Sequence, residues 1–126
     1  MILVDSSIWI ELLAGRPGAT APERWLLQLV TCGPVVQEIL QGLRAGPAGD
    51  AFRERFLAIP RVSDPVPLEL YVAAADIYRQ GRRKGLTIRS STDCLIAAIA
   101  IRNAVPVWHR DRDFEAIASF TGLETV

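Results

Sequence analysis

The segment Ile88–Phe114 places the strongest constraint on how this chain folds. Ser90 and Asp93 form a helix-start pattern, in which each side chain can bind a free backbone N–H group of the first turn. The residues Leu95–Ile101 that follow are all apolar, so this helix is predicted to be buried rather than to lie on the surface. Val105–Trp108 then predicts a short buried strand, so a helix and a strand of the core adjoin each other.

Short apolar runs alternate with helical patterns along the rest of the chain. Further strands are predicted at Met1–Val4 and Val30–Cys32. Such alternation predicts a parallel sheet covered by helices on both faces, which is an α/β three-layer sandwich formed by a single domain over residues 1–126. The helices are predicted from Ser6 to the Gly15–Gly18 stop, from Pro22 through Leu29, from Pro34 to Leu43, around Phe52–Leu57, over Leu68–Lys84 and over Asp113–Phe120.

Three connecting segments are less regular. Ala45–Asp50 is rich in glycine and proline and predicts a turn, and two prolines within Ile59–Val66 limit that segment to a short edge strand or a loop. Leu123–Val126 predicts a closing strand.

Composition excludes several classes of protein. No apolar run approaches a membrane span, and the N-terminus lacks the basic and small-residue features of a signal peptide, so a cytoplasmic protein without membrane association is predicted. Cys32 and Cys94 stand in apolar surroundings without metal-ligand spacing, which favours packed, reduced thiols over a disulfide or a zinc site. Fourteen basic residues balance fourteen acidic ones, and all the bases except Lys84 are arginine, which suits phosphate contacts.

Four acids stand at positions that combine into a metal-binding pattern. Asp5 and Asp111 follow predicted strands, at the edge of a parallel sheet where ligands collect. Asp93 lies at a helix start, and Glu38 lies inside an apolar helix. Taken singly, each aspartate is equally compatible with a helix cap, and Glu38 with a solvated helix edge. If the four carboxylates converge, their repulsion requires a cation, and oxygen ligands favour Mg²⁺ or Mn²⁺, which suit phosphodiester hydrolysis.

Four sequence segments together resemble the PIN-domain ribonucleases, and the short chain resembles the VapC-type toxins of type II toxin–antitoxin systems. The segments are MILVDSSIWIELL, VVQEILQG, STDCLIAAIA and VPVWHRDRDF, which span nearly the whole chain. The resemblance implies a Rossmann-like parallel sheet with an acidic pocket and a Mg²⁺- or Mn²⁺-dependent endoribonuclease activity. It also implies neutralisation by a cognate antitoxin protein and, commonly, a homodimer.

The resemblance also assigns roles to individual residues. Asp113 matches an accessory acid, and Ser6 matches a hydroxyl that can position a water molecule. His109 departs from the family pattern, where serine or threonine is common; a structural role is the favoured interpretation of it, with RNA contact or proton transfer as the alternative. The catalytic and metal-binding roles fall on an acidic quartet, led by Asp5 and Asp93 and completed by Glu38 and Asp111.

The RNA phosphates require cations near the acidic pocket. Three tryptophans, Trp9, Trp25 and Trp108, could stack on bases, but their apolar neighbours favour core or interface packing. Six residues are candidates for phosphate contact, with a solvated surface as the alternative: Arg82, Arg83, Lys84, Arg89, Arg110 and Arg112.

Two other functions are compatible with parts of the pattern. A phosphatase could use Asp5 as its nucleophile, but that chemistry needs an acid two residues later, where this chain has Ser7. A non-catalytic PIN-like module that binds RNA or protein is the second alternative. Metal-dependent turnover distinguishes it from a nuclease.

Overall fold

The computed structural model describes residues 1–13 and 22–126. These described residues form three short strands, six α-helices and one 3₁₀ helix. In chain order these are β1 (Ile2–Val4), α1 (Ser6–Leu13), the 3₁₀ helix (Glu23–Gln28), β2 (Leu29–Val30), α2 (Gly33–Gln41), α3 (Pro47–Leu57), α4 (Leu68–Arg83), α5 (Ser91–Asn103), β3 (Val107–Trp108) and α6 (Arg112–Ala118).

The strands form a parallel sheet in the order β2-β1-β3, flanked by helices. Leu3 of β1 pairs with Val30 on one side and with Val107 on the other, and its side chain is fully buried. Since all three strands run in the same direction, β1 and β3 end at the same edge of the sheet. The predicted α/β architecture with a short parallel sheet is therefore confirmed.

Helix α5 is the central helix of the core, as its sequence predicts. Ser90 is its N-cap and accepts a hydrogen bond from the backbone N–H of Asp93 at 3.3 Å. The next turns are buried on more than one side, because Ile96, Ala97 and Ile99 are all inaccessible to solvent. Helix α4 packs along α5, and the alanines of α5 permit this close approach.

The predicted helix after Pro22 is a 3₁₀ helix, not an α-helix. Leu26 and Leu27 point outward in it, and Leu27 is fully exposed, so apolar packing does not stabilise a longer helix here. The turn predicted at Ala45–Asp50 is also wrong in extent. Helix α3 begins within it at Pro47, because proline fits the first helical turn, where its missing N–H costs nothing.

All four predicted strands are shorter than expected. The first begins at Ile2 instead of Met1, and the strand predicted at Val105–Trp108 is limited to Val107–Trp108. The strand at Val30–Cys32 lies instead at Leu29–Val30, and Thr31 forms only an isolated bridge with Arg61. The closing strand is reduced to one bridge between Val107 and Thr125. The predicted stop at Gly15–Gly18 lies outside the described residues. In the part of the chain that the structure describes, no helix is both long and apolar enough to cross a membrane.

The cysteines and tryptophans pack as predicted. Cys32 and Cys94 are free and buried, and burial raises the pKa of the Cys32 thiol to about 12. Trp9 and Trp108 belong to the core, and Trp25 contacts Trp108 edge to face with ring centroids 5.3 Å apart.

Candidate metal centre

Asp5 occupies the carboxyl end of β1 and is 3% exposed. Its backbone N–H donates to the carbonyl of Trp108 at 2.9 Å, so the residue still lies in the sheet. One carboxylate oxygen, Oδ2, accepts hydrogen bonds from the backbone N–H and the hydroxyl of Ser7 at 3.2 and 2.6 Å. The other oxygen, Oδ1, is buried without a hydrogen-bond partner among the described residues.

Ser7 is a residue of the site that sequence reasoning did not assign to it. Its hydroxyl donates to Asp5 and accepts a hydrogen bond from the backbone N–H of Arg110 at 3.2 Å. It therefore links the end of β1 to the loop after β3. The available signal was the spacing: a residue two positions after an aspartate often closes a local turn with that carboxylate.

Glu38 reaches the same region from helix α2. Its Oε2 accepts a hydrogen bond from the Ser6 hydroxyl at 3.2 Å, and its Oε1 is buried without a partner among the described residues. Burial raises the pKa of the Glu38 carboxyl, Asp5 raises it further, the Ser6 hydrogen bond lowers it, and Asp111 adds a smaller increase. A solvated helix edge does not account for Glu38, because that environment would leave its carboxylate hydrated.

Asp93 lies in the first turn of α5 and is 6% exposed. The hydroxyl of Ser90 caps the helix, and the Asp93 side chain leaves its Oδ2 buried without a partner in the described structure. Helix capping therefore does not explain this carboxylate. The pKa of Asp93 rises to about 8, first through burial and then through its neighbours, which are Asp5, Asp111, Asp113 and Glu38 in that order.

Asp111 and Asp113 complete the acidic cluster at the start of α6. Asp111 caps this helix by accepting the Asp113 N–H at 2.9 Å. Asp113 is 2% exposed, and its Oδ2 accepts the backbone N–H groups of Arg89 and Ser90 at 3.0 and 3.1 Å. One carboxylate oxygen from each of Asp93, Asp111 and Asp113 lies within 4.8 Å of the others. Asp113 thus combines proximity to the cluster with a positioning role between α5 and α6.

Electrostatic repulsion connects the five acids, although Asp5 and Glu38 lie outside the close group of three. Asp93 belongs to the close group with Asp111 and Asp113, and it is also coupled electrostatically to Asp5 and Glu38. Among the described residues, no arginine or lysine forms an ion pair with any of these acids. Buried carboxylates without a counter-charge are costly, and three of their fully buried oxygens have no hydrogen-bond donor among residues 1–13 and 22–126. An all-oxygen set of this kind fits a divalent cation such as Mg²⁺ or Mn²⁺.

His109 lies beside the cluster and is held at both ring nitrogens. Its Nδ1 accepts the backbone N–H of Asp111 at 3.1 Å, and its Nε2 is 3.2 Å from a carboxylate oxygen of Glu115. The ring also packs against Phe114 with centroids 5.1 Å apart. Because Nδ1 accepts a backbone proton, Nε2 carries the ring proton, and no lone pair remains free to abstract one from a substrate. This geometry supports the structural interpretation of His109.

The six predicted phosphate-binding residues are all exposed, and in the described structure none of their side chains forms an ion pair with an acid of the cluster. Arg110 instead places its Nε 3.3 Å from a carboxylate oxygen of Glu11. The guanidinium of Arg82 lies 6.0 Å from the ring centroid of Tyr78. Contact of these residues with RNA remains a prediction.

Comparisons with known proteins identify the family of this chain. Residues 2–119 match the family model described as "PIN domain". Ribonuclease VapC11 of Mycobacterium tuberculosis is 38% identical over 130 aligned positions, which cover 98% of this chain and 96% of the relative.

Two solved structures share the fold. VapBC2 from Rickettsia felis, bound to a DNA fragment from its promoter, superposes with a TM-score of 0.75 at 15% identity and covers 100% of this chain and 98% of that one. VapBC-5 from M. tuberculosis, a member of the VapBC family of toxin-antitoxin systems, gives a TM-score of 0.67 at 24% identity, with 98% and 95% coverage. The chain therefore belongs to the PIN-domain family, with VapC ribonucleases among its relatives.

Proposed function

We propose that this chain is a divalent-metal-dependent endoribonuclease that acts as the toxin of a toxin–antitoxin pair. One observation supports the chemistry above all others: Asp5 Oδ1, Glu38 Oε1 and Asp93 Oδ2 are buried without donors in the described structure. The similarity to a VapC ribonuclease over almost the full chain supports RNA as the substrate. Residues 1–126 would act as one PIN domain in the cytoplasm.

The acids divide into ligands and supports in this proposal. Asp5 and Asp93 would be the principal ligands of Mg²⁺ or Mn²⁺, with Glu38 and Asp111 completing the set. When bound, the cation supplies a counter-charge for the phosphodiester and lowers the pKa of a water molecule. The chain itself fixes the ligand directions, because the Ser7 hydroxyl holds Asp5 and the Ser6 hydroxyl holds Glu38. Asp113 keeps the starts of α5 and α6 together.

The direct test is cleavage of a labelled single-stranded RNA by the purified protein. Cleavage is expected with Mg²⁺ or Mn²⁺, and loss of cleavage is expected with EDTA and in the Asp5→Asn and Asp93→Asn variants. Asp76→Asn is the matched control, because Asp76 is exposed on α4 and outside the acidic cluster. Equal cleavage with and without metal, or by all variants, would contradict the proposal. RNA binding without turnover would favour a non-catalytic module.

The proposed protein partner is a cognate antitoxin, as the VapBC relatives suggest. Ile10, Leu26 and Leu27 are large apolar residues that remain 56%, 56% and 101% exposed and are therefore candidates for contact with it. Co-expression with the product of an adjacent reading frame should relieve growth arrest. An arrest that no neighbouring gene product relieves would contradict a toxin–antitoxin role.

We also propose a homodimer. Leu68 and Val72 lie one helical turn apart on α4 and are 77% and 56% exposed, which is unusual for large apolar residues in one row. Light scattering should give twice the 13.8 kDa mass of the chain. The Leu68→Lys variant should shift the equilibrium from dimer toward monomer. A single-chain mass for the parent protein would contradict this proposal.

A further inference from the structure

Two open cavities follow one another along the surface beside the acidic cluster. The first has a volume of about 430 Å³, and Glu38 forms part of its wall. The second, of about 450 Å³, lies between α4 and α5. Tyr71, Thr92 and Leu95 line both, so the cavities adjoin. Each volume falls in the range of about 300–1,000 Å³ that is usual for small-molecule sites.

The first cavity has groups suited to the edge of a nucleobase. Gln37 and Gln41 lie one helical turn apart on α2, are both exposed, and line the same wall as Glu38. A side-chain amide offers one donor group and one acceptor, which is the pattern a base edge requires. Pro34 and Val66 add apolar surface, against which the plane of a base can lie.

The second cavity has an aromatic wall and ends at cations. Tyr71, Tyr78 and Arg79 share one face of α4, and all three line this cavity. Arg79 is exposed and has no ion-pair partner in the part of the chain that the structure describes. The Arg82 guanidinium over the Tyr78 ring adds a second positive charge near the same end.

We propose that these two cavities, here called the α4–α5 groove, bind single-stranded RNA on its way to the acidic cluster. Tyr71 is the stacking platform where the cavities meet, and Arg79 contacts a phosphate of the RNA backbone in the second cavity. Aromatic rings that stack bases, combined with cations that follow the backbone, are how proteins bind single strands. Because Glu38 lines the first cavity, RNA bound in the groove would lead to the acidic cluster. This inference rests on the proposed ribonuclease function.

The binding experiment uses the full chain carrying Asp93→Asn, which prevents cleavage while leaving the cap by Ser90 intact. The probe is a fluorescein-labelled, eight-nucleotide, single-stranded RNA of mixed sequence, and its anisotropy is measured in EDTA at several salt concentrations. Tyr71→Ala is expected to weaken binding by about 5- to 150-fold, since one stacked base is lost. Tyr71→Phe keeps the ring and should bind like the parent.

Arg79→Ala makes a separate prediction about salt. Losing one phosphate contact should reduce the slope of log affinity against log salt by about 0.7. Arg53→Ala is the matched control, because Arg53 is exposed on α3 and lines neither cavity. Its slope should stay at the parent value.

The outcomes separate this inference from the proposed function. Parent protein that cleaves RNA, together with a Tyr71→Ala variant of unchanged RNA affinity, would overturn the groove and leave the ribonuclease intact. Parent protein that binds RNA through Tyr71 and Arg79 without cleaving it would overturn the ribonuclease and leave the groove. Tyr71→Ala could instead alter only the oligomeric mass measured by light scattering, or only antitoxin binding, with RNA affinity unchanged. Either result would identify this face as a protein interface and overturn the proposed RNA groove.

Discussion

The hydroxyl of Ser6 donates to Oε2 of Glu38 at 3.2 Å, across 32 positions of the chain. This contact joins α1 to α2 and lowers the pKa of Glu38 against the effects of burial and of Asp5. It leaves Oε1 as the oxygen available to a ligand. Ser6 therefore acts on the candidate site through Glu38.

Removing this hydroxyl tests whether orientation of Glu38 matters. Ser6→Ala should weaken Mg²⁺ binding by about tenfold or less, because a hydrogen bond to a charged group is worth about 1.5–3 kcal/mol and part of it is lost to solvent at this half-buried position. Titration calorimetry with Mg²⁺ measures the effect. Ser119→Ala is the control, since that hydroxyl contacts only a backbone carbonyl on α6. Unchanged Mg²⁺ affinity in Ser6→Ala would show that Glu38 needs no such support.

Divalent cations should stabilise the folded chain. At ten times its dissociation constant, Mg²⁺ would add about 1.4 kcal/mol to the free energy of unfolding, or about 3–5 °C in Tm for a chain of this size. Asp93→Asn should raise the metal-free Tm at neutral pH, because folding no longer requires position 93 to take up a proton that the unfolded chain has lost. The same variant should reduce the Mg²⁺ increment. Scanning calorimetry with and without Mg²⁺ checks both. A parent Tm that does not respond to millimolar Mg²⁺ would argue against a metal centre.

The pH dependence of stability has a definite sign. The folded chain holds the Asp93 proton up to about pH 8, whereas the unfolded chain loses it near 3.8. Protonation therefore favours the folded state, and without metal the contribution of Asp93 is greatest below about pH 4 and declines as pH rises toward 8. The raised pKa of Glu38 acts in the same direction.

Urea unfolding in EDTA at a series of pH values measures this effect. Asp93→Asn should flatten the decline in unfolding free energy between about pH 4 and 8. Mg²⁺ competes with the proton, so its stabilising effect should grow with pH over the same interval. Parallel curves for the parent and Asp93→Asn would contradict the assignment of the slope to Asp93.

Asp113 and Asp111 should differ in what their substitution damages. Asp113→Ala removes the acceptor of two backbone N–H groups, at Arg89 and Ser90, and should cost about 1–3 kcal/mol of unfolding free energy. Asp111→Asn keeps an acceptor oxygen for the α6 cap, so it should preserve stability and lose RNA cleavage. Denaturation and cleavage assays on both variants make the comparison. Full stability of Asp113→Ala would contradict its positioning role.

His109 should be replaceable by a residue that supplies the same acceptor. Asparagine can place an amide oxygen near the position of Nδ1, so His109→Asn should retain the contact with the Asp111 N–H and most cleavage activity. His109→Leu supplies no acceptor for the Asp111 N–H and should lose more of the cleavage activity. The pH profile of kcat for His109→Asn should match that of the parent. Loss of one limb of that profile would identify His109 as a proton-transfer residue.

Sequence reasoning predicted the parallel sheet and the buried helix α5 because hydrophobic periodicity reports burial directly. The run from Leu95 to Ile101 has no polar residue, and the core position of α5 follows from that alone. Patterns of this kind cannot report how a helix packs at its ends. The 3₁₀ helix at Glu23–Gln28 resembles an α-helix in sequence, and only its exposed leucines reveal the difference.

The sequence was sufficient to predict which acids belong to the candidate site. It was not sufficient to predict which atoms each carboxylate oxygen contacts. Strand ends placed Asp5 and Asp111 at one edge of the sheet. Asp113 accepts backbone hydrogen bonds, whereas one oxygen of Asp93 has no partner among the described residues. This difference in role depends on individual hydrogen bonds that sequence spacing does not predict. Ser7 was missed for the same reason, because its second contact, with the Arg110 N–H, joins residues 103 positions apart.

The bridge that Ser7 makes between Asp5 and the loop after β3 bears on how readily the site accepts an ion. Because one hydroxyl connects these two segments, the loop after β3 cannot move away from the end of β1 without breaking the 3.2 Å hydrogen bond from the Arg110 N–H to the Ser7 hydroxyl. Folding itself thus sets the spacing of the ligands, before any cation arrives. Little entropy is left to lose on binding, and preorganisation of this kind favours a small, strongly hydrated ion that tolerates little deviation in ligand geometry.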